Sequence, residues 1–495
     1  MVKNALKITG LLLGIVITLT LYNFFTIDTP KVSSKAPALS LDASLAHEVL
    51  ARAIRFPTVS YNDRTKMDRK TFASYLAFLY TEFPTVFSEL DVDIVAEMSL
   101  LLTWKGSNVS LKPAMFIAHH DVVPINPETE EEWKYPPFSG TIADGYIWGR
   151  GAIDDKGNMI ALLYALEELV KTGFEPERSL YFGFGHDEEI GGKKGAGSIA
   201  ALLKKRGKKM AFILDEGGAV ADPDLLKELG VKVPTAMVAI AEKGYLDVLV
   251  EARGPAGHSS KPKPDTSLVK LSRALLKLED NQPPLDNRYV IGTIEPLLPY
   301  MTKGNQYLLS NIWLFGPLVN QQLAQSAEMA ASMHRTVVPT IARAGIKSNV
   351  IPPLARATVN LRLFPGETPE QVLKDLVTII DDPDVSISIL RGHVASPIKP
   401  ASGKEWDLLY QSIKEMDPAL PITSFLDFGG TDLKNYYDVS DRQFRFAFHP
   451  LNRDILDGMH GVNEKMPVKS YAKNVEFFYR ILSNAAEANW LSEIE

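Results

Sequence analysis

Two histidines and an aspartate close one apolar run of this chain, in Ala118-His119-His120-Asp121. Two aspartates stand between glycines in Gly151-Ala152-Ile153-Asp154-Asp155-Lys156-Gly157. Asp187-Glu188-Glu189 follows a second apolar run, Asp215-Glu216 closes a third, and a distant histidine lies in Met459-His460-Gly461. Singly, each cluster reads as a solvated turn, because Asp and Gly dominate turns. Together they hold what two close divalent ions need to clamp a water and a polarised carbonyl. Such a site requires a carboxylate with both oxygens free to bridge, His or carboxylate ligands for each ion, and one unligated carboxylate as general base. His119 and Asp121 sit two apart, a spacing that suits a histidine ligand and a carboxylate orienting its ring. Glu188 and Glu189 are adjacent, so their side chains diverge, and one can ligate while the other faces substrate. Spacing does not choose between His119 and His120, or between Asp154 and Asp155. His47, His186, His334, His393 and His449 stand outside these clusters and read as structural or surface residues.

The elements that must gather these groups are legible as alternating patterns. Apolar runs at 100–104, 113–118, 179–184 and 210–214 read as strands, and 159–171 and 196–205 as helices. Strand–helix alternation predicts an α/β fold with a mixed sheet flanked by helices. In such sheets ligands gather outside the carboxyl ends of the strands, where all the polar clusters fall. The texture changes at Tyr245. Strands at 246–252, 357–363 and 385–390, with helices at 267–278 and 368–380, predict a small α+β domain inserted into the first. Between them, 281–340 is rich in Pro, Leu and aromatics, with a helix expected at 321–333. These patterns divide the chain into a catalytic domain at 41–244 and 393–495 and an inserted lid at 245–392.

At 495 residues the chain exceeds one ordinary core, which agrees with that division. A net charge of −7 without a basic stripe argues against nucleic-acid binding. Cysteine is absent, which excludes disulfides and thiolate metal sites and leaves His and carboxylates as ligands. Lys3 and Lys7 flank residues 8–27, which carry no charge and match the length of a bilayer core. Residues 1–30 therefore read as a transmembrane anchor or a secretory signal segment. The lysines on the short side send the bulk of the chain outward, anchored with an extracytoplasmic catalytic domain, or secreted or periplasmic. Residues 31–40, with prolines and serines, read as a linker.

The ordered series of motifs resembles the M20 family of two-zinc metallopeptidases. The matching segments are Ala118–Pro124, Gly149–Gly157, Asp187–Gly192, Asp215-Glu216-Gly217, Gly257-His258-Ser259 and His460–Glu464. The resemblance implies that Asp154 bridges two zinc ions, with His119 and Asp215 completing one and Glu189 and His460 the other. Cobalt or manganese would suit the same donors. It further implies that Asp121 orients His119, and that Glu188 carries a proton from the attacking water to the leaving amine. In the family the inserted domain is a ferredoxin-like lid and often a homodimer surface. Its histidine, here His258, steadies the developing oxyanion. Asn349 and Arg362 correspond to the lid's substrate-binding residues, and Gly430 and Thr431 are expected beside the substrate in Gly429-Gly430-Thr431-Asp432. The resemblance is nearest to the branch of carboxypeptidase S and the N-fatty-acyl-amino-acid synthase/hydrolases. Where that branch has Ser and Arg after this motif, Leu433 and Lys434 stand here, and a lysine offers a point charge without a bidentate fork.

The implied reaction is hydrolysis of the amide bond of a small peptide or an N-acyl amino acid. Two rival classes remain: a non-catalytic binding protein on the same scaffold, which loss of Glu188 or of a ligand would favour though none is lost here, and a membrane-anchored interaction protein, which predicts no metal dependence. The apolar stretch Asn311–Leu318 suggests a lid surface for an acyl chain, or for packing within the lid or between subunits.

Overall fold

The computed structural model describes residues 2–28 and 41–490. The linker expected at 31–40 lies outside the described residues. Two sheets organise the rest. The larger has ten strands, in the order Asp91–Val95, Ser99–Trp104, Leu180–Gly185, Ala114–His119, Ile213–Asp215, Gln443–Arg445, Thr235–Glu242, Ala219–Ala221 and Pro450–Leu451, with Ile422–Asp427 paired onto Thr235–Glu242. Its centre is parallel: Ala114–His119 runs alongside both Leu180–Gly185 and Ile213–Asp215. Every residue of Ala114–His119 and Leu180–Gly185 is buried, as expected of strands covered on both faces. Helices Ala46–Ile54, Lys156–Lys171, Lys404–Met416 and Val468–Ala486 contribute to the core on one face. Helix Ala196–Lys205 and the turn Asp432–Asn435 cover the other. The sheet is mixed and helix-flanked, as the alternation predicts.

The smaller sheet has the order Thr336–Arg343, Leu354–Leu363, Gly244–Arg253, Val385–His393, all antiparallel. Helices Ser267–Asp280 and Pro369–Ile380 bury Leu271, Ala274, Val372 and Leu376 against it. Strand-helix-strand-strand-helix-strand in this order is the ferredoxin-like arrangement.

One segment departs from the expected division. Residues 288–331 form a run of short helices between helix Ser267–Asp280 and strand Thr336–Arg343. Their apolar residues Val290, Ile294, Leu297, Val319 and Leu323 pack with Ala221, Leu226, Leu229 and Val231 of the larger unit, not with the inserted sheet. The helix expected at 321–333 is divided: Ile312–Leu323 starts earlier and ends inside that range, and Ala327–Ala331 follows after a break. Gly316-Pro317 reads as a breaker, yet Pro317 sits inside the helix, where its missing N–H leaves a single carbonyl without its donor.

Among the expected structural histidines, His449 is fully enclosed after Phe448, and burial lowers its pKa to about 4. A folded pKa below the unfolded value of about 6.5 means that the unfolded chain binds the extra proton first. Stability is then complete above pH 6.5 and falls as pH drops toward 4, by about 1.4 kcal/mol per pH unit for this one group. The melting temperature of H449Q should therefore depend less on pH between 6.5 and 4.5 than that of the parent. Parallel slopes would exclude this histidine as a source of acid sensitivity.

Candidate metal centre

His119 is the last residue of its strand and is buried. Its Nε2 lies 3.0 Å from Asp154 Oδ1 and 3.1 Å from Glu216 Oε1. The other ring nitrogen, Nδ1, is 3.0 Å from the Asp121 carbonyl and 3.4 Å from Asp121 Oδ1. One nitrogen is thus held from behind while the other faces carboxylates, the usual posture of a ligating histidine. On the far side of Asp154, Oδ2 lies 2.8 Å from His460 Nε2, and that nitrogen is 3.2 Å from Glu189 Oε2. The two oxygens of one carboxylate therefore face two different histidines. His120, the alternative left open by spacing, turns away: its Nε2 meets the Met98 carbonyl at 2.9 Å, and its ring stacks on Tyr75.

Among the described residues, two groups could hold ions: His119, Asp154 and Glu189, and His119, Asp155 and Glu216. The chemistry of the donors fits divalent cations. Burial pushes the Glu189 carboxyl up to about 8, reinforced by the Asp154 charge. Burial also drives the Glu216 and Asp155 carboxyls well above the usual carboxylate range, with neighbouring carboxylates adding to it. Hydrogen bonds to Asp154 and Glu189 hold His460 up near 10. So many buried carboxyls cannot all ionise without added positive charge, and Glu189 Oε1 has no hydrogen-bond partner.

Three devices position these groups. First, Asp121 is wholly buried and accepts from Ser60 Oγ at 2.6 Å and from the backbone N–H groups of Glu188 and Glu189 at 3.1 and 3.3 Å. It thereby ties the two glutamates to the strand end that carries His119. Second, Glu464 Oε1 accepts from the N–H groups of Gly151, Ile153 and Asp154, at 3.0, 2.9 and 3.2 Å. Its Oε2 pairs with Arg150 at 2.7 Å, both side chains buried. Third, Asp155, without an assigned role in the motif, accepts from the His119 N–H at 3.1 Å and from Asn158 at 2.6 Å. A cis peptide joins Asp154 to Asp155.

Asp215 is placed differently from the expectation. Its neighbour Glu216 meets His119, whereas Asp215 is buried with Oδ2 unpartnered and its carboxyl pushed up to about 7 by burial. Side chains alternate at a strand end, so consecutive residues cannot face the same way. Glu188 Oε1 pairs with Lys434 at 2.8 Å. Burial opposes the lysine's charge, but the Glu188 and Asp432 carboxylates outweigh it and raise its pKa. Thr431 spends both its N–H and its hydroxyl on Glu242, at 3.0 and 2.5 Å, and Gly430 is exposed beside it. The lid residues lie apart. His258 is exposed, with Nδ1 accepting from Ser260 at 2.7 Å. The Asn349 backbone carbonyl accepts from the Ser259 N–H at 3.2 Å, so Asn349 and His258 share one patch. Arg362 sits over the Tyr245 ring.

The model of peptidase family M20/M25/M40 matches residues 115–484, which spans every group of this centre. The chain belongs to peptidase family M20. This M20 chain is a hydrolase of that family, and the family is metal-dependent. It is 35% identical over 500 residues to the probable carboxypeptidase S-like 2 of Dictyostelium discoideum, covering 97% of this chain and 94% of that one. It is 37% identical over 450 residues to the N-fatty-acyl-amino acid synthase/hydrolase of Mus musculus, covering 88% and 87%. Among solved structures, the M20 metallo-carboxypeptidase of Sulfolobus solfataricus matches with a TM-score of 0.65 at 16% identity, over 90% of this chain and all of that one.

Replacing Glu464 tests the support of Asp154. In E464Q one acceptor oxygen becomes a donor, so either Arg150 or the three N–H groups lose their partner. Metal affinity should fall about 10- to 100-fold, as for lost supports behind metal ligands. Competition with a chelator reads this directly, and unchanged affinity would show that the loop holds its shape unaided.

Proposed function

We propose that this M20 hydrolase is a membrane-anchored two-zinc amidohydrolase acting on N-acyl amino acids with an apolar acyl group. The observation that carries the reading is an apolar cavity opening beside Gly217, the residue after Glu216. Leu225, Leu229, Val290, Ile294, Met329 and Phe428 line it. An acyl tail laid there gains about 0.8 kcal/mol per buried CH₂ and leaves its carbonyl end at the carboxylate cluster. The name of the mouse relative, an N-fatty-acyl-amino acid synthase/hydrolase, supports the same substrate class. A larger cavity of about 420 Å³, lined by Tyr289, Tyr300, Trp406 and Tyr410, contains none of the clustered residues and carries no part of the reading.

In this proposal Asp154 bridges, with His119 and Glu216 on its Oδ1 side and His460 and Glu189 on its Oδ2 side. Zinc, cobalt or manganese held there would polarise the amide carbonyl and lower the pKa of water. Glu188 takes the proton of the attacking water and delivers it to the leaving nitrogen. Asp121 steadies it through the backbone, and Lys434 through its Oε1. Asp215, whose buried Oδ2 is unpartnered, remains available to an ion on the same side as Glu216. Exposed Gly430 offers backbone to the substrate, while Thr431 braces the turn that carries Lys434. His258 and Asn349 reach an active centre only if a second lid presents them, which a homodimer through the inserted sheet would do. Exposed Val338 and Ile341 on its outer strand suit such a surface. The N-terminal helix contains a 20-residue apolar segment, Leu6–Phe25, long enough to span about 30 Å. Its leucines and isoleucines are exposed, which supports an anchor, and Lys3 and Lys7 on its short side favour a catalytic unit outside the cytoplasm.

A second reading, cleavage of short peptides from the carboxyl end, draws on the 29% identity with carboxypeptidase S of Saccharomyces cerevisiae over 89% of this chain. Met329 separates the two. M329W fills the cavity, so KM should rise for long-chain acyl amino acids and stay unchanged for short dipeptides. Equal effects, or activity confined to dipeptides, would overturn the acyl reading.

The base is tested independently. E188Q should lower kcat about 10²- to 10⁴-fold while about two ions per chain remain bound. Full activity in that variant would remove Glu188 from the mechanism.

A further inference from the structure

We propose that helix Ile312–Leu323 lies in the surface of the bilayer beside the N-terminal helix, with Trp313, Leu314 and Leu318 immersed in lipid. The inference rests on the anchoring reading above and adds a second, independent contact with the membrane.

Three observations carry it. The helix presents an apolar face that the protein leaves uncovered: Trp313, Leu314 and Leu318 are 54%, 41% and 55% exposed, while Val319 and Leu323 on the other side are buried in the core. Residues 304–327 contain no Asp, Glu, Lys or Arg, so the surface bears no charge that lipid would reject. Most important, this helix starts where the N-terminal helix is docked. Asn311, the residue before it, is fully buried and donates from Nδ2 to the Thr20 carbonyl at 3.1 Å. Asn23 donates to Asn311 Oδ1 at 3.1 Å, and the Tyr307 hydroxyl bonds Thr20 Oγ1 at 3.0 Å. Phe24 packs edge-on against Tyr307.

The depth follows from helix geometry. Thr20 precedes Phe25, the end of the apolar segment, by five residues, or about 7.5 Å at 1.5 Å per residue. A helix lying in the interface buries its apolar face by about 5–10 Å. If Leu6–Phe25 spans the bilayer, Asn311 is held at that depth and Trp313 and Leu314 follow directly. The polar groups of Thr20, Asn23 and Asn311 satisfy one another there, as groups shielded from water must. Lys303, whose Nζ lies 5.7 Å from the Phe24 ring centre, is placed to reach the headgroups. Ile294 lines both the hollow at the base of the N-terminal helix and the apolar cavity beside Gly217. Membrane contact here would bring a lipid-dissolved substrate close to the metal centre.

The absence of cysteine makes the test direct. Single variants L314C, L318C, L12C and V109C of the full-length chain, each carrying a nitroxide, are reconstituted into phosphatidylcholine vesicles. Collisions with oxygen and with an aqueous nickel chelate are then measured. Val109 is 93% exposed on a loop of the larger unit and reports water, and Leu12 reports the anchor. The expected result is loss of nickel collisions and gain of oxygen collisions at 314 and 318, as at 12. Labels at 314 and 318 as open to nickel as that at 109, with 12 in lipid, would overturn the docking and leave the anchor standing. A label at 12 that reads as aqueous would overturn the anchor and the docking with it. Protection from both reagents with spin–spin broadening would mean that a second copy covers the face, and would also overturn the proposal.

Discussion

A bridging carboxylate must offer both oxygens, so nothing else near it can be allowed to claim one. Asp154 meets that constraint because Glu464 takes over the backbone around it. Three demands of the loop, the N–H groups of Gly151, Ile153 and Asp154, converge on a single oxygen of Glu464, and Arg150 neutralises the other. The loop cannot then satisfy its N–H groups with its own Asp side chains, which is what Asp does in ordinary turns. Breaking a buried pair of this kind leaves an uncompensated charge, at a cost of about 3–5 kcal/mol. That penalty holds the pair together, and two segments separated by 310 residues become parts of one site.

A similar economy runs through Asp121. Its carboxylate does not chiefly orient His119, whose Nδ1 lies closer to the Asp121 carbonyl than to the carboxylate oxygen. It instead holds the backbone of Glu188 and Glu189, so the strand end bearing His119 positions the turn bearing both glutamates. Lys434 completes the turn from the opposite side through Glu188 Oε1. Its position after the Gly-Gly-Thr-Asp segment suggests a grip on substrate, yet its charge is committed to the base. A lysine suits that role, since a single ammonium contact needs no bidentate fork.

Much of this was legible in the residue order. The strand ends at His119, Glu188 and Asp215 follow from apolar runs closed by polar residues, because a parallel strand buried on both faces must be apolar until it leaves the sheet. The pairing of His460 with Asp154 was legible only through family resemblance, since no local pattern joins residues so far apart. That Glu216, and not Asp215, meets His119 was beyond reach for a definite reason. Adjacent acids at a strand end face opposite ways, so one of them meets the site, but which one depends on the pleat at Ile213 and Leu214. The reasoning applied to Glu188 and Glu189 held the same ambiguity. The early start of helix Ile312–Leu323 escaped because Pro317 reads as a stop, whereas packing of Val319 and Leu323 overrides that local preference.

The short helices at 288–331 connect the two halves of the argument. They interrupt the ferredoxin-like unit in sequence but complete the larger unit in space, because their apolar faces find Ala221, Leu226 and Val231 there. An insertion that packs on the catalytic unit can line a cavity at Gly217 with one side and hold the N-terminal helix with the other. The carboxylate cluster rests on the strand ends and on Glu464, whereas the cavity wall and the seat of the N-terminal helix rest in part on this insertion, so the two share a scaffold without sharing residues.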